Sequence, residues 1–392
     1  MIRLRLCIAA FGLISASHAV HASTKFEPIL IGQIASLTGN NPGGKDNIAG
    51  AALAVSELNT AGGLLGGRRI VLALEDDRTK PDEAAAAFSR LAARRVVAVV
   101  GTSFSNASLA VIPLAEAAKI PHISTGAADT QVEPVRPYTF ITSLTGRIVA
   151  QRLLQYFADH DLRRIAVVFD ADSAFARTGW TKQKAMLVKS GITLLTEQSV
   201  KVDTTDFKSV IDEIASSHAQ AVMLWLTGPP AVGFVRSYAQ SGVPIPLFAS
   251  QGMASPSFIA QVGDGAEGIT MATAPAMVAA QLPRSKLKRV ATAMTVAFER
   301  ANGYAPSQFA IDGYVAVKLI AAAISKAGSD DPFAIRAALE QLVLLTPQGE
   351  YRYSVDNHSG LRPEDVTIVR IRDRKFVLTS WSREQIVAAR NR

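Results

Sequence analysis

Cysteine is nearly absent from this 392-residue chain, which has one, Cys7. Beyond position 7 there is no disulfide, no cysteine metal site and no thiol nucleophile. Histidine is scarce too, at six residues, and only His122, His160, His218 and His358 lie beyond the first 22 positions. No His-Glu-x-x-His pair or other metal-ligand spacing occurs, so neither a metal nor a cofactor is implied. His122 falls within an apolar strand, whereas His160, His218 and His358 read as surface or turn residues. Aromatics are few, at 7%. The basic excess, formally +8, is spread along the chain without a dense run interleaved with aromatics. Nucleic acid is therefore a poor partner for this sequence.

Long hydrophobic runs are missing as well. The longest candidate, about Leu6 to Ile14, follows Arg3 and Arg5 and precedes Val20-His21-Ala22. That order is the positive region, apolar region and small-x-small site of a cleaved secretory signal, and cleavage is expected after Ala22. An uncleaved anchor is the alternative, but the run is too short to span a bilayer comfortably. A lipidated cysteine would follow the apolar run, and Cys7 does not. The expectation is an exported protein with no later transmembrane segment.

The remainder alternates apolar runs with amphipathic stretches. Ile29 to Ala35 reads as a buried strand, then Ile48, Ala52, Val55 and Leu58 fall at helical spacing before Gly62-Gly63. "RRIVLALEDD" is a strand, followed by a helix with Thr79 as cap and Pro81 in its first turn. "VVAVVG", "ASLAVIPLAEAAK" and "IPHIS" continue the rhythm, which restarts near Thr142. There "RIVAQRLLQYFADH" is a helix, "RRIAVVFD" a strand, and a further helix runs through Lys182 to Val188. Near the end, "TIVRI" and "FVLTS" form a hairpin. Unbroken apolar strands between helices mean α/β architecture with parallel sheets covered on both faces, here two doubly wound domains.

The loop "GTSFSNAS", Gly101 to Ser108, leaves such a strand at the mouth of a helix. Ligands of open parallel sheets bind beyond the carboxyl ends of the strands, and helix N-termini hold anions. Ser103, Ser105 and Asn106 add side-chain donors there. A phosphate loop would need a lysine that is absent. A hydrolase elbow would need glycine where Ser105 stands. A small carboxylate is the remaining anion, with simple helix capping by Ser105 as the plainer alternative. A second polar loop, "ISTGAADT", Ile123 to Thr130, lies at the same edge. Two such loops without a catalytic set suggest recognition without chemistry; a hydrolase using Ser103 or Ser105 lacks a base in any pattern.

These residues resemble a known family. "ILIGQIASLTG", "AGAALAVSELNTAGGLLGGRRIVLALEDDRTKPDEA", "VVAVVGTSFSNASLAVIPLAEAAKIPHIST" and "DFKSVIDEIASSHAQAVMLWL" are similar to the periplasmic solute-binding proteins of branched-chain amino acid ABC transporters, the Leu/Ile/Val-binding type. The resemblance covers nearly all of the chain past the signal. It implies a type I periplasmic binding fold: two α/β lobes joined by three hinge crossovers, near Thr142, Thr273 and Tyr351, closing on ligand. The lobes would be 27–142 with 273–350, and 143–272 with 351–388. It implies periplasmic localisation and an inner-membrane ABC permease as partner; a sensory receptor of the same fold is the alternative.

Residue by residue, the resemblance makes Ser105 the carboxylate-binding serine and Gly126, Ala127 and Ala128 the second loop's contacts. Phe175 in "FARTG" matches an aromatic, usually tyrosine, in the first loop of the second lobe. Leu226 or Thr227 approaches the cleft, and Gln251 matches the acid that holds an ammonium in amino acid binders. Ala128 stands where a threonine is usual. Asp129 is one residue past the expected place and could substitute for the acid, or be a solvent-facing loop residue. The site thus accepts anions and lacks cation partners, which points to an aromatic or aliphatic acid without an α-ammonium, since an unpaired buried charge is costly. A branched-chain or related amino acid held through Asp129 is the alternative. Trp225 is read as core or ligand contact, Phe309 as core or cleft rim. Lys45 and Asn41 are placed in the loop after the first strand, with Lys45 able to attract an acid or simply exposed.

Overall fold

The computed structural model describes residues 27–40 and 43–389. The signal segment with its cleavage after Ala22, Cys7 and Asn41 lie outside them. The first sheet is built from β1 (Ile29–Ala35), β2 (Ile70–Asp76), β3 (Ala98–Val100), β4 (His122–Ser124) and β5 (Thr139–Ile141), with helices α1 (Gly44–Thr60), α2 (Pro81–Ala93) and α3 (Ser105–Ala118) between its strands. Its order is β2-β1-β3-β4-β5, all parallel. β1 is an interior strand and, apart from Leu30, wholly buried, which is why its sequence is apolar without alternation. Successive side chains face opposite layers: Ile29 and Ile31 join the core with α1, Ile34 the core with α2 and α3.

The second half begins with α4 (Gly146–Asp159). It continues through β6 (Arg164–Asp170), α5 (Ala174–Met186), β7 (Thr193–Val200), α6 (Lys208–Ser216), β8 (Ala221–Trp225) and α7 (Gly228–Ser241). β9 (Leu247–Ala249), α8 (Pro256–Val262) and β10 (Thr270–Thr273) follow. The chain then runs through α9 (Lys286–Asn302), α10 (Gln308–Ala327), α11 (Pro332–Leu339) and a separate hairpin, β11 (Val343–Thr346) with β12 (Gly349–Arg352). It ends with the antiparallel pair β13 (Thr367–Arg372) and β14 (Lys375–Leu378), then α12 (Ser380–Ala388). The second sheet has the order β14-β13-β10-β9-β8-β6-β7 and is parallel except for β13 and β14. The molecule is therefore α/β, with one parallel and one mostly parallel sheet, each wrapped by helices.

Several local expectations change. Lys80, not Thr79, precedes α2, and Thr79 adopts a positive φ with its hydroxyl on the Thr38 carbonyl. Lys45 is exposed but lies in the first turn of α1 rather than in a loop. α1 buries Asn47, Gly50, Ala51 and Ala54 in preference to the bulkier Ile48, Val55 and Leu58. The reason is α10: its backbone comes so close that a β-carbon on Gly50 would sit 1.8 Å from the Ala310 carbonyl. α10 is the one described helix long and apolar enough to cross a membrane, and it is mostly buried within the protein. His358 is not a surface residue. It stacks on Phe140 at 3.9 Å, with Nδ1 2.8 Å from the Thr139 carbonyl, and is buried.

The chain leaves the first sheet after β5, leaves the second after β10, and re-enters it at β13. The passages after β5 and β10 and the β11–β12 turn are tied together at Asp312 near the start of α10. Its Oδ1 accepts from Gln308 Nε2 (3.0 Å) and Gln348 Nε2 (2.9 Å), and its Oδ2 is 2.7 Å from Ser143 Oγ. Gln348 also donates to the Thr142 carbonyl, and Gln308 accepts from the Ala274 N–H. Tyr351 and Tyr353 donate to the carbonyls of Thr142 and Ile141. Ser143 has one hydroxyl proton yet stands 2.6 Å from the Thr125 carbonyl as well. A carbonyl only accepts, so that proton belongs to Thr125, and Asp312 Oδ2 must carry its own proton to bond Ser143. Burial acts in the same direction, pushing the Asp312 carboxyl up to about 7 against the Gln308 and Gln348 hydrogen bonds that lower it. No lysine or arginine pairs with it among the described residues.

A folded-state pKa above the ordinary 3.8 stabilises the fold below that value, and the contribution is lost as pH rises towards 7. Asp312→Asn keeps both acceptor and donor without a titrating proton. It is expected to gain on the wild type between about pH 4 and pH 7, by on the order of 4 kcal/mol. Denaturant unfolding of both proteins across that range measures the difference, which stays flat if Asp312 is ionised throughout.

Candidate functional site

The first polar loop starts where β3 ends. Gly101 has φ +104°, and a β-carbon there would strike the Ile34 carbonyl, so only glycine turns the chain from strand to helix at this point. Below the loop lies a hydroxyl lattice. Thr102 Oγ1 is 2.9 Å from Ser108 Oγ, Ser124 Oγ donates to Gln131 Oε1 at 2.6 Å, and the Gly126 N–H donates to Ser124 Oγ. These residues brace the two loops against each other. Ser103 is buried beside them.

Ser105 opens α3 but does not cap it; Phe104 is the flanking residue. Its Oγ instead accepts from the Ala127 N–H (3.1 Å) and the Ala128 N–H (3.2 Å) of the second loop. The side-chain-free Gly126 lets the loops approach this closely. A hydroxyl has two lone pairs and one proton. With both lone pairs occupied, Ser105 retains a proton to donate. Asn106 reaches across to the second half of the molecule: its Nδ2 donates to the Asp172 carbonyl at 2.9 Å and its Oδ1 accepts from the Ala174 N–H at 2.8 Å.

Asp129 is not solvent-facing. It is wholly buried, and both its oxygens accept from the Arg147 N–H, at 3.2 and 3.1 Å, at the N-terminus of α4. Burial raises its pKa, against the Arg147 hydrogen bond that lowers it. Arg147 and Lys182 both pair with nearby Glu133. Ala128 is buried and brings no hydroxyl.

On the facing side, Phe175 lies in the first turn of α5 rather than in a loop, because Ser173 caps that helix by accepting from the Ala176 N–H. Phe175 is buried edge-on to Trp225, with ring centroids 5.6 Å apart. Trp225 is core: it is fully buried and its indole N–H donates to Gln183 Oε1 at 2.7 Å. Leu226 is buried, and Thr227 Oγ1 donates to the Gly252 carbonyl at 3.1 Å. Gln251, also buried, donates from Nε2 to the Leu144 carbonyl at 2.6 Å, on the passage after β5. Its Oε1 has no partner, and neither do Thr125 Oγ1 and Ser250 Oγ. Sequence reasoning passed over Thr125 and Ser250. Their signal was position: each is the residue just past a strand's carboxyl end, β4 and β9.

Cavities open along the crevice between the two halves. One of about 480 Å³ is lined by Gly39, Asn40 and Phe309 on one side and by Gly228, Gly252, Met253 and Phe258 on the other. Phe309, half-buried, is a rim residue. A second, about 340 Å³, lies between Phe104, Asn106 and Thr79 and the facing Asp172, Ser173 and Thr227. His122 offers no general base to this edge. Its Nε2 faces the Gly101 carbonyl and so carries a proton, and burial pushes its pKa down to about 4. Among the described residues no group of three His, Cys, Asp or Glu side chains could hold a metal ion.

Residues 28–375 match the family model described as periplasmic binding protein. The Leu/Ile/Val-binding protein BraC3 of Rhizobium johnstonii is 28% identical over 383 residues, 94% of this chain and 97% of that one. Among solved structures, an extracellular ligand-binding receptor from Rhodopseudomonas palustris HaA2 superposes with a TM-score of 0.82 at 23% identity, over 90% of this chain and all of that one. A solute-binding protein of an R. palustris ABC transporter, in complex with benzoate, gives 0.78 at 21% identity, over 90% and 95% of the two chains. These relatives are binding proteins rather than enzymes, and their fold is the type I periplasmic binding fold. From Pro28 to Lys375, a span that takes in strands of both sheets, the chain belongs to the periplasmic binding protein family.

Proposed function

We propose that this protein is the periplasmic substrate-binding component of an ABC importer. Two lobes, 27–142 with 273–350 and 143–272 with 351–388, close around a small carboxylate that lacks an α-ammonium, an aromatic or aliphatic acid. One observation carries the reading: Ser105 keeps a proton for an anion, while the carboxylate of the second loop, Asp129, is already bound to the N-terminus of α4. Ala128 and Gln251 bring no charge. An ammonium placed at 128 and 251 would meet no anion there, which is costly. The benzoate complex of a protein with this fold supports such a ligand. The likeness to BraC3 favours a second reading, a branched-chain or related amino acid, which would require Asp129 to turn from α4.

Thermal unfolding of the protein with two panels of probes separates the readings. One panel holds benzoate, isovalerate and related acids; the other holds leucine, isoleucine and valine. A ligand at about 100 times its Kd adds roughly 2.7 kcal/mol and raises the midpoint by roughly 5–10 °C. Shifts with the amine-free acids alone are the expected result; shifts with the amino acids alone refute it.

Two substitutions are expected to weaken the acid that binds, measured by calorimetry. Ser105→Ala removes the donated proton and leaves two buried N–H groups unpaired, for a loss of about tenfold or more. Asn106→Ala removes two hydrogen bonds that exist only while the lobes meet. Roughly 1–3 kcal/mol of closed-state stability goes with them, and stopped-flow release is expected to speed up more than association slows.

A further inference from the structure

Gln251 sits between two things of fixed character. On one side is the Leu144 carbonyl, which only accepts, so the amide must present Nε2 to it. That fixes the amide orientation and leaves Oε1 on the other side, buried and without a partner. The next residue along the chain, Gly252, lines the 480 Å³ cavity. A buried acceptor left unmet is expensive, so a ligand that meets it is favoured over an isostere that cannot. The same edge holds the spare proton of Ser105, a donor. With the unpartnered hydroxyls of Thr125 and Ser250, the site therefore presents hydroxyl donors suited to a carboxylate and, at Gln251, a neutral acceptor suited to a hydroxyl.

Resting on the carboxylate reading above, we infer that the ligand is a hydroxycarboxylic acid and that Gln251 is the residue that selects its hydroxyl. Oε1 accepts the hydroxyl proton, and Nε2 keeps the amide aligned through Leu144. A hydroxyl meets a neutral amide oxygen without bringing an unpaired charge into the cleft, which an ammonium would do.

The test uses matched acids that differ by one hydroxyl: benzoate against its ortho-, meta- and para-hydroxy forms, and isovalerate against α-hydroxyisovalerate. Calorimetry is run on the wild type, Gln251→Leu and Gln251→Glu. In the wild type at least one hydroxy acid is expected to bind about tenfold or more tighter than its deoxy partner. In Gln251→Leu that ratio is expected to fall to within about threefold. The ratio is the readout because damage to the Leu144 contact, a purely structural effect, weakens both members of a pair alike. Gln251→Glu is expected to shift preference towards amine-bearing acids, since it supplies the missing anion. Equal binding within every pair, or a ratio that survives in Gln251→Leu, overturns the hydroxyl inference and leaves the carboxylate reading standing. If leucine or isoleucine binds the wild type and none of the acids does, the carboxylate reading fails and the inference with it; so too if no probe binds.

Discussion

One protonated carboxyl holds the connections between the two sheets together. Asp312 accepts hydrogen bonds from Gln308 and Gln348 and donates one to Ser143, and through them reaches Thr142, Ala274 and the β11–β12 turn. Each amide in the cluster uses both its protons, and each oxygen has a donor, so the network is fully satisfied in one protonation state only. Fully satisfied buried networks are rigid and specify one arrangement, while a half-satisfied one is costly. Any movement of one lobe against the other must bend the connections while keeping this knot intact.

The crevice residues follow the same logic of counted donors and acceptors. Thr102, Ser108, Ser124 and Gln131 hold the two loops from beneath, leaving few polar atoms to face a ligand. A pocket whose polar groups are mostly tied down is preorganised, so little ordering is needed on binding. What remains free is small in number: the hydroxyls of Thr125 and Ser250, a hydroxyl proton at Ser105 and an amide oxygen at Gln251.

Much of the fold was legible because it depends on local pattern. β1 was read residue for residue, and the β13–β14 hairpin and α10 from apolar runs alone. What was not legible depends on partners distant in sequence. Asp129 looks like a loop acid until α4 is brought against it. His358 looks like a turn residue until Phe140 lies under it. α1 shows an apolar stripe at helical spacing, yet the face it buries is the smaller one, because α10 approaches at backbone distance. Phe175 reads as loop because the helix it begins has little apolar periodicity; the cap at Ser173, a residue before α5, was the missed sign. In the site, residue types and order placed two polar loops at the carboxyl edge of the first sheet. They could not show which hydrogen-bonding atoms remain free, since that depends on which neighbours use them.

Asn106 shows why that distinction matters for binding. Sequence placed it among the ligand contacts, where an amide after two serines suits an anion. The structure gives its oxygen and one of its N–H groups to the backbone of 172–174, in the manner of a short backbone bridge across the crevice. A bond between lobes stabilises only the arrangement in which they meet, so it shifts the balance between open and closed forms rather than adding to contact with ligand. A ligand's observed affinity scales with the fraction of protein in the competent form. On the function proposed above, residues such as Asn106 set how tightly every ligand is held, and Ser105 and Gln251 set which ligand it is. The two tasks fall on neighbouring residues of one helix start, 105 and 106, because the carboxyl edge of the sheet is both the floor of the site and the nearest point to the opposite lobe.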